Sequence, residues 1–194
     1  MNPANTTGAG GGTVYYGDPD SAHDLQVFLE LRDRPSHTMA ESLLGTMRRT
    51  ADEGGTVLKF HFAAEIDDTV GGIGSQRGLG ALAAASDAGQ RQFIDYLSVL
   101  LAEQPFPPVN DRFSETPVLL SLASRVEGLR SADFDRKVTD DTYLSWAGDA
   151  AGGFASFGVV GMPVVWYDDE VVPVVSFEGG SAITPQQFLD RLPR

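Results

Sequence analysis

Asp18, Asp20, Ser21, His23 and Asp24 crowd into one short stretch, Asp-Pro-Asp-Ser-Ala-His-Asp, which follows the β-like run Thr13-Val14-Tyr15-Tyr16. Two kinds of chemistry use such a set directly. Ser-x-x-acid ahead of an apolar run is a helix cap: Ser21 Oγ accepts from the Asp24 N–H, and the Asp24 carboxylate reaches back to the Ser21 N–H. Asp20 competes for the same capping role, which is worth about 0.5–2 kcal/mol. Four of these side chains also supply carboxylate oxygens and one imidazole, the donors that hard cations take. A strand-to-helix corner would spread them in different directions, so no metal is expected. His37 and His61 lie far away in sequence, and His61, within an alternating run, reads as a satisfied core or edge histidine.

The elements around that corner follow from periodicity. Residues 13–17 read as a buried strand. From Ser21 the apolar positions Leu25, Phe28, Leu29 and Leu31 recur at helical spacing, until Pro35 interrupts them. A second helical run carries Met39, Leu43, Leu44 and Met47 and stops at Glu53-Gly54-Gly55. Thr56 to Phe62 alternates as a strand. Residues 75 to 150 read almost entirely helical, with an Ala-rich stretch from Leu79 to Ala88 and an amphipathic face at Phe93, Ile94, Leu97, Leu100 and Leu101. Further helices are expected over Val118–Val126, Phe134–Val138 and Tyr143–Phe157, with Trp146, Phe157 and Trp166 in the core. Val164–Tyr167 and Val171–Ser176 form a hairpin across Asp168-Asp169-Glu170, and a last helix starts at Thr184-Pro185. The Gly71-Gly72-Ile73-Gly74-Ser75 stretch lacks the lysine ending of a phosphate loop and reads as a connection.

The chain has 194 residues, 42% hydrophobic, with a formal charge of −13 that disfavours nucleic acid and anionic membranes as partners. Its acids are dispersed, as on a solvated surface. There is no cysteine, which excludes disulfides, thiolate metal sites and thiol redox chemistry. The Gly-, Asn- and Thr-rich residues 1–12 are expected to be a disordered tail rather than a signal peptide, and a cytoplasmic location follows as the expectation.

The order of elements, together with two landmarks, resembles the DsbA-like branch of the thioredoxin superfamily. The first landmark is Tyr16-Gly17-Asp18-Pro19-Asp20, which resembles the strand running into a Cys-x-x-Cys pair; Ser21 and Asp24 then stand at the two cysteine positions, with His23 before the second. The second is Gly158-Val159-Val160-Gly161-Met162-Pro163, which resembles the family's cis-proline loop. The resemblance covers about residues 13 to 192. It implies an α/β, thioredoxin-like fold of the DsbA type: a core over 13–74 and 158–194 and an inserted α-helical subdomain over 75–157. It departs from the family at both cysteines, so disulfide exchange is not a mechanism for this chain.

Two functions are then expected as alternatives. In the first, the protein is a non-redox relative that binds a peptide or protein partner at the proline loop, through Met162, Pro163 and Tyr16, and takes no cofactor. In the second, the corner resembles the kappa-class glutathione transferases and 2-hydroxychromene-2-carboxylate isomerases, with Ser21 toward the glutathione thiolate and the Met162 main chain on its peptide backbone. Ala22, where those relatives have proline, and the neighbouring Asp18, Asp20 and Asp24 argue against the second.

Overall fold

The computed structural model describes residues 1–175 and 180–192. Six strands, β1 (Thr6–Thr7), β2 (Thr13–Tyr16), β3 (His23–Glu30), β4 (Thr56–Ala63), β5 (Val164–Tyr167) and β6 (Glu170–Val171), form one sheet in the order β1-β2-β4-β3-β5-β6. β3 and β4 are parallel, in register from His23↔Thr56 to Glu30↔Ala63, and the other neighbours are antiparallel.

The helix expected from Ser21 is strand β3 instead. Leu25, Val27, Leu29 and Leu31 also repeat every second residue, and that period wins because the segment pairs along its full length with β4 and again with β5. No local signal reports those pairings. The first helix, α1 (Arg34–Asp52), begins where the notional helix was to be interrupted. Pro35 falls in its first turn, where a missing N–H costs nothing, and Asp33 is the N-cap. Glu53-Gly54-Gly55 ends it as expected, with both glycines at positive φ (89° and 83°).

The residues between β4 and β5 form α2 (Glu65–Val70), α3 (Gly74–Ala88), α4 (Gln90–Ala102), α5 (Thr116–Ala123), α6 (Ala132–Thr139) and α7 (Leu144–Gly153), with a 3-10 turn over Phe154–Phe157. The Ala-rich α3 buries Ala81 to Ala85, letting α4 and α7 approach its backbone closely. In the Gly71–Ser75 stretch, the N–H groups of Ile73 and Gly74 bond to Asp111, and those of Ser75 and Gln76 bond to Asp67. Internal carboxylates thus occupy the donors a phosphate would need.

Residues 1–12 are built into the fold rather than forming the expected tail. β1 pairs with β2, Ala4 N donates to Asp87 Oδ1 at 2.8 Å, and Trp146 Nε1 donates to the Gly11 carbonyl at 3.0 Å. At the other end β5 turns into β6 through Asp168-Asp169, both left-handed (φ 48° and 66°), the backbone of a two-residue hairpin. The second strand is shorter than expected, and Ser176, its expected end, lies outside the described residues. Thr184 caps α8 (Pro185–Leu189) in a reciprocal box with Gln187.

Alternation gives the sheet two unlike faces. Leu25, Val27, Leu29, Leu58, Phe60 and Phe62 join Met39, Leu43 and Met47 of α1 in the main core. The opposite face carries Asp24, Gln26, Phe28, Glu30, Lys59, His61 and Trp166, and Phe28 alone of these centres a small apolar cluster with Ala63 and Phe154.

Candidate binding site

Ser21 lies just before β3, and His23 and Asp24 open that strand rather than a helix, so the expected Ser21–Asp24 cap does not form. Ser21 N closes a turn onto the Asp18 carbonyl at 3.1 Å. His23 Nδ1 meets Asp168 Oδ2 at 2.7 Å, and Asp24 accepts from Lys59 Nζ at 2.8 Å. Asp168 also accepts from the Asp24 N–H at 3.0 Å; that bond and His23 hold its carboxyl below the usual range despite some desolvation. Tyr16 is buried, and its hydroxyl donates to Asp52 near the end of α1 at 2.6 Å. Burial first, and then Asp52, raise its pKa.

Met162 and Pro163 precede β5, whose Val164 pairs with Phe28 toward the far end of β3. A strand of this length spans roughly 25 Å at about 3.3 Å per residue. Ser21 and Met162 therefore cannot hold one glutathione, and Tyr16 does not reach the proline loop. The glutathione reading of Ser21 falls with that separation.

The strand-to-helix corner beside the proline loop is formed by Glu30 to Ser36. Asp33 Oδ2 accepts from Ser36 N at 2.8 Å and from Ser36 Oγ at 2.7 Å, while Ser36 Oγ accepts from Glu30 N at 3.2 Å. Ser36 is fully buried and its hydroxyl is engaged both ways, so it is no nucleophile. Gln104 Nε2 donates to the carbonyls of Leu31 (3.0 Å) and Asp33 (2.7 Å), fixing the backbone that enters α1. Desolvation raises the Asp33 pKa against the lowering effect of the Ser36 bonds.

Behind the corner two charged residues are completely buried. Glu30 Oε1 accepts from Ser75 Oγ (2.8 Å) and Ile66 N (3.0 Å), and burial pushes its carboxyl up. Arg32 pairs with Asp67 at 2.6 Å and Asp111 at 2.9 Å and donates to the Pro108 carbonyl. Sequence reasoning missed this set. The available signal was an acid two residues ahead of a proline at the edge of an apolar run, Asp33-Arg34-Pro35, which marks a helix start.

Between this corner and the loop lies a groove of about 380 Å³, lined by Pro35, Val160, Met162, Pro163, Val171 and Pro173 among other apolar residues. The Met162–Pro163 bond is cis. Among the described residues, neither the N–H nor the C=O of Met162 has a hydrogen-bond partner. Val160 is 94% exposed and Val171 65%, an unusual display of branched aliphatic surface. Arg34 extends over the ring of Phe106, 6.0 Å from its centroid, and has no ion-pair partner among the described residues. Among the described residues no group of three or more His, Asp or Glu converges as a metal site. The arrangement offers a binding surface without a thiol.

No protein-family model matches the chain, and no curated protein sequence does. Solved structures do. The chain is similar to MdbA, a thiol-disulfide oxidoreductase from Corynebacterium matruchotii, with a TM-score of 0.72 at 17% identity over 89% of this chain and 88% of that one. It is similar to the MdbA protein of Actinomyces oris, with a TM-score of 0.71 at 15% identity over 94% of this chain and 87% of that one. BdbD from Bacillus subtilis in its oxidised form gives 0.69 at 14% identity over 89% and 90%. At these identities the likeness establishes architecture alone. This cysteine-free chain has the thioredoxin fold with a helical insertion that characterises the DsbA-type thiol-disulfide oxidoreductases.

Proposed function

We propose that the protein is a non-redox counterpart of those oxidoreductases that binds an extended segment of a peptide or partner protein in the groove between Pro35 and the Val160–Pro163 loop. The observation that carries this reading is the groove itself: an almost wholly apolar channel beside main-chain groups of Met162 that have no partner among the described residues. A strand laid along it would bond to that main chain and place alternate side chains in the channel. Arg34 favours an acidic residue next to the apolar one. It stands in the first turn of α1, where the helix dipole disfavours a cation by about 0.3–1 kcal/mol.

The test is an amide NMR titration with an extended peptide holding two valines flanked by a glutamate. Shifts concentrated at Pro35's neighbours, Val160 to Met162 and Val171 are expected. Val160→Asp with Val171→Asp should weaken binding at least ~10-fold, leaving the thermal midpoint unchanged because both side chains are exposed. Uniform or absent shifts at millimolar peptide would sink the reading.

A further inference from the structure

A second cavity, of about 420 Å³, lies over the polar face of the sheet and shares no lining residue with the groove. Its floor is Thr13 of β2, Gln26 of β3, and Lys59 and His61 of β4. The end of α7 contributes Asp149, the turn after it contributes Phe157, and the glycine-rich segment near Gly8 and Gly12 completes it. This is a volume suited to a small molecule, within the range of about 300–1,000 Å³ for ligand pockets.

The floor groups largely satisfy one another. His61 Nε2 meets Gln26 Oε1 at 3.0 Å, Thr13 Oγ1 meets His61 Nδ1 at 3.2 Å, and Gln26 Nε2 donates to Asp169 at 3.2 Å. Gln26 can only accept at Oε1, so the imidazole carries its proton on Nε2 and accepts from Thr13. Burial, and then Lys59, hold His61 down to about 4, so it brings no charge to the cavity at neutral pH. The ring is stacked on Phe28 with centroids 4.4 Å apart and leans on Phe157 at 4.3 Å, which fixes it in place beneath Phe157.

Three groups keep free capacity for a ligand. Lys59 Nζ has three donors, and its bond to Asp24 Oδ2 takes one. Asp149 is exposed and has no hydrogen bond or ion pair among the described residues. Phe157 is 38% exposed, unlike the core residue that its sequence pattern suggests. The cavity thus presents donors of a cation on the sheet, a lone carboxylate on α7 and an aromatic surface.

We propose that this cavity binds a small zwitterion with a planar apolar body, of which a free aromatic amino acid is the simplest case: carboxylate toward Lys59, ammonium toward Asp149, ring against Phe157. The proposal is independent of the peptide reading, because neither uses the other's residues.

The experiment is calorimetry and side-chain NMR of the folded protein with L-phenylalanine, phenylacetate and phenethylamine as probes. L-Phenylalanine is expected to bind and to move the signals of His61, Gln26 and Phe157. Each half-molecule is expected to bind at least ~10-fold more weakly. Asp149→Asn, an exposed substitution that leaves the fold intact, should weaken L-phenylalanine by a similar factor, as should Lys59→Met. Absence of shifts up to ~10 mM L-phenylalanine overturns the proposal. So does a half-molecule that binds as tightly as the whole, or affinity that Asp149→Asn leaves unchanged.

Discussion

At the N-terminal end of β3, His23 and Asp168 meet in solvent, with side chains 50% and 43% exposed. At its C-terminal end, Glu30 and Arg32 are completely out of water, and Asp67 nearly so. Both ends use acids and bases within hydrogen-bond distance, yet their energetics differ. Exposed pairs gain little because water screens them and competes for their donors. Buried groups have lost their hydration, so every remaining partner matters and removing one strands a charge. The conspicuous His23–Asp168 pair is thus a solvated one. The inconspicuous segment Leu29-Glu30-Leu31-Arg32-Asp33 anchors the helix start that forms one side of the groove.

That contrast makes graded predictions. Arg32→Met, which leaves Asp67 buried without its guanidinium, should lower unfolding free energy by about 3–5 kcal/mol in urea titrations. A loss below ~1 kcal/mol would erase the distinction between the two ends.

His61 lies between them, buried but uncharged. Its folded pKa of about 4 is depressed from 6.5, so the unfolded chain takes up its proton first as pH falls. The stability tied to the neutral ring is present above 6.5 and lost progressively between 6.5 and 4. The difference between wild type and His61→Gln should therefore change by roughly 2–4 kcal/mol across that window, measured as denaturant midpoints at several pH values. A constant difference would contradict burial of a neutral ring.

Glu30 has the opposite sign. Its folded pKa is raised, so its contribution is favourable below the ordinary carboxylate range and lost as pH rises through the folded value. Glu30→Gln keeps an acceptor for Ser75 and Ile66 and should stabilise by about 1 kcal/mol at pH 7, with little effect near pH 4. Equal effects at both pH values would show that the carboxyl is not desolvated as its burial implies.

The smallest effect belongs to the exposed end. Asp168→Asn preserves the left-handed turn residue and an acceptor for Asp24 N, and should cost under ~0.5 kcal/mol by thermal melts. A larger loss would mean that the His23 pair is stronger than a solvated one.

Much of the fold was legible because its signals are local. Met39, Leu43, Leu44 and Met47 on a helical stripe, Glu53-Gly54-Gly55 as its stop, the alternating Thr56–Phe62 and the Thr184-Pro185 start all became the elements their patterns implied. Segment 23–30 was misread because Leu25, Phe28 and Leu29 fit a helical spacing while Leu25, Val27 and Leu29 fit a strand. Only pairing with β4 and β5 separates the two. The expected candidate residues separate with that segment: Met162 and Pro163 line the groove, whereas Ser21, His23, Asp24 and Tyr16 belong to the other end of the sheet.

The sequence by itself determined that no thiol chemistry is available, since chemistry without cysteine is a matter of composition. It also determined where most helices start and stop, because caps, prolines and glycines act within a few residues. Only the tertiary structure decided which carboxylates lose their water, which strand leads into α1, and which aliphatic side chains stay exposed beside Met162. Those outcomes depend on contacts between residues far apart in the chain, such as Arg32 with Asp67 and Asp111, and desolvation exists only once those contacts have closed.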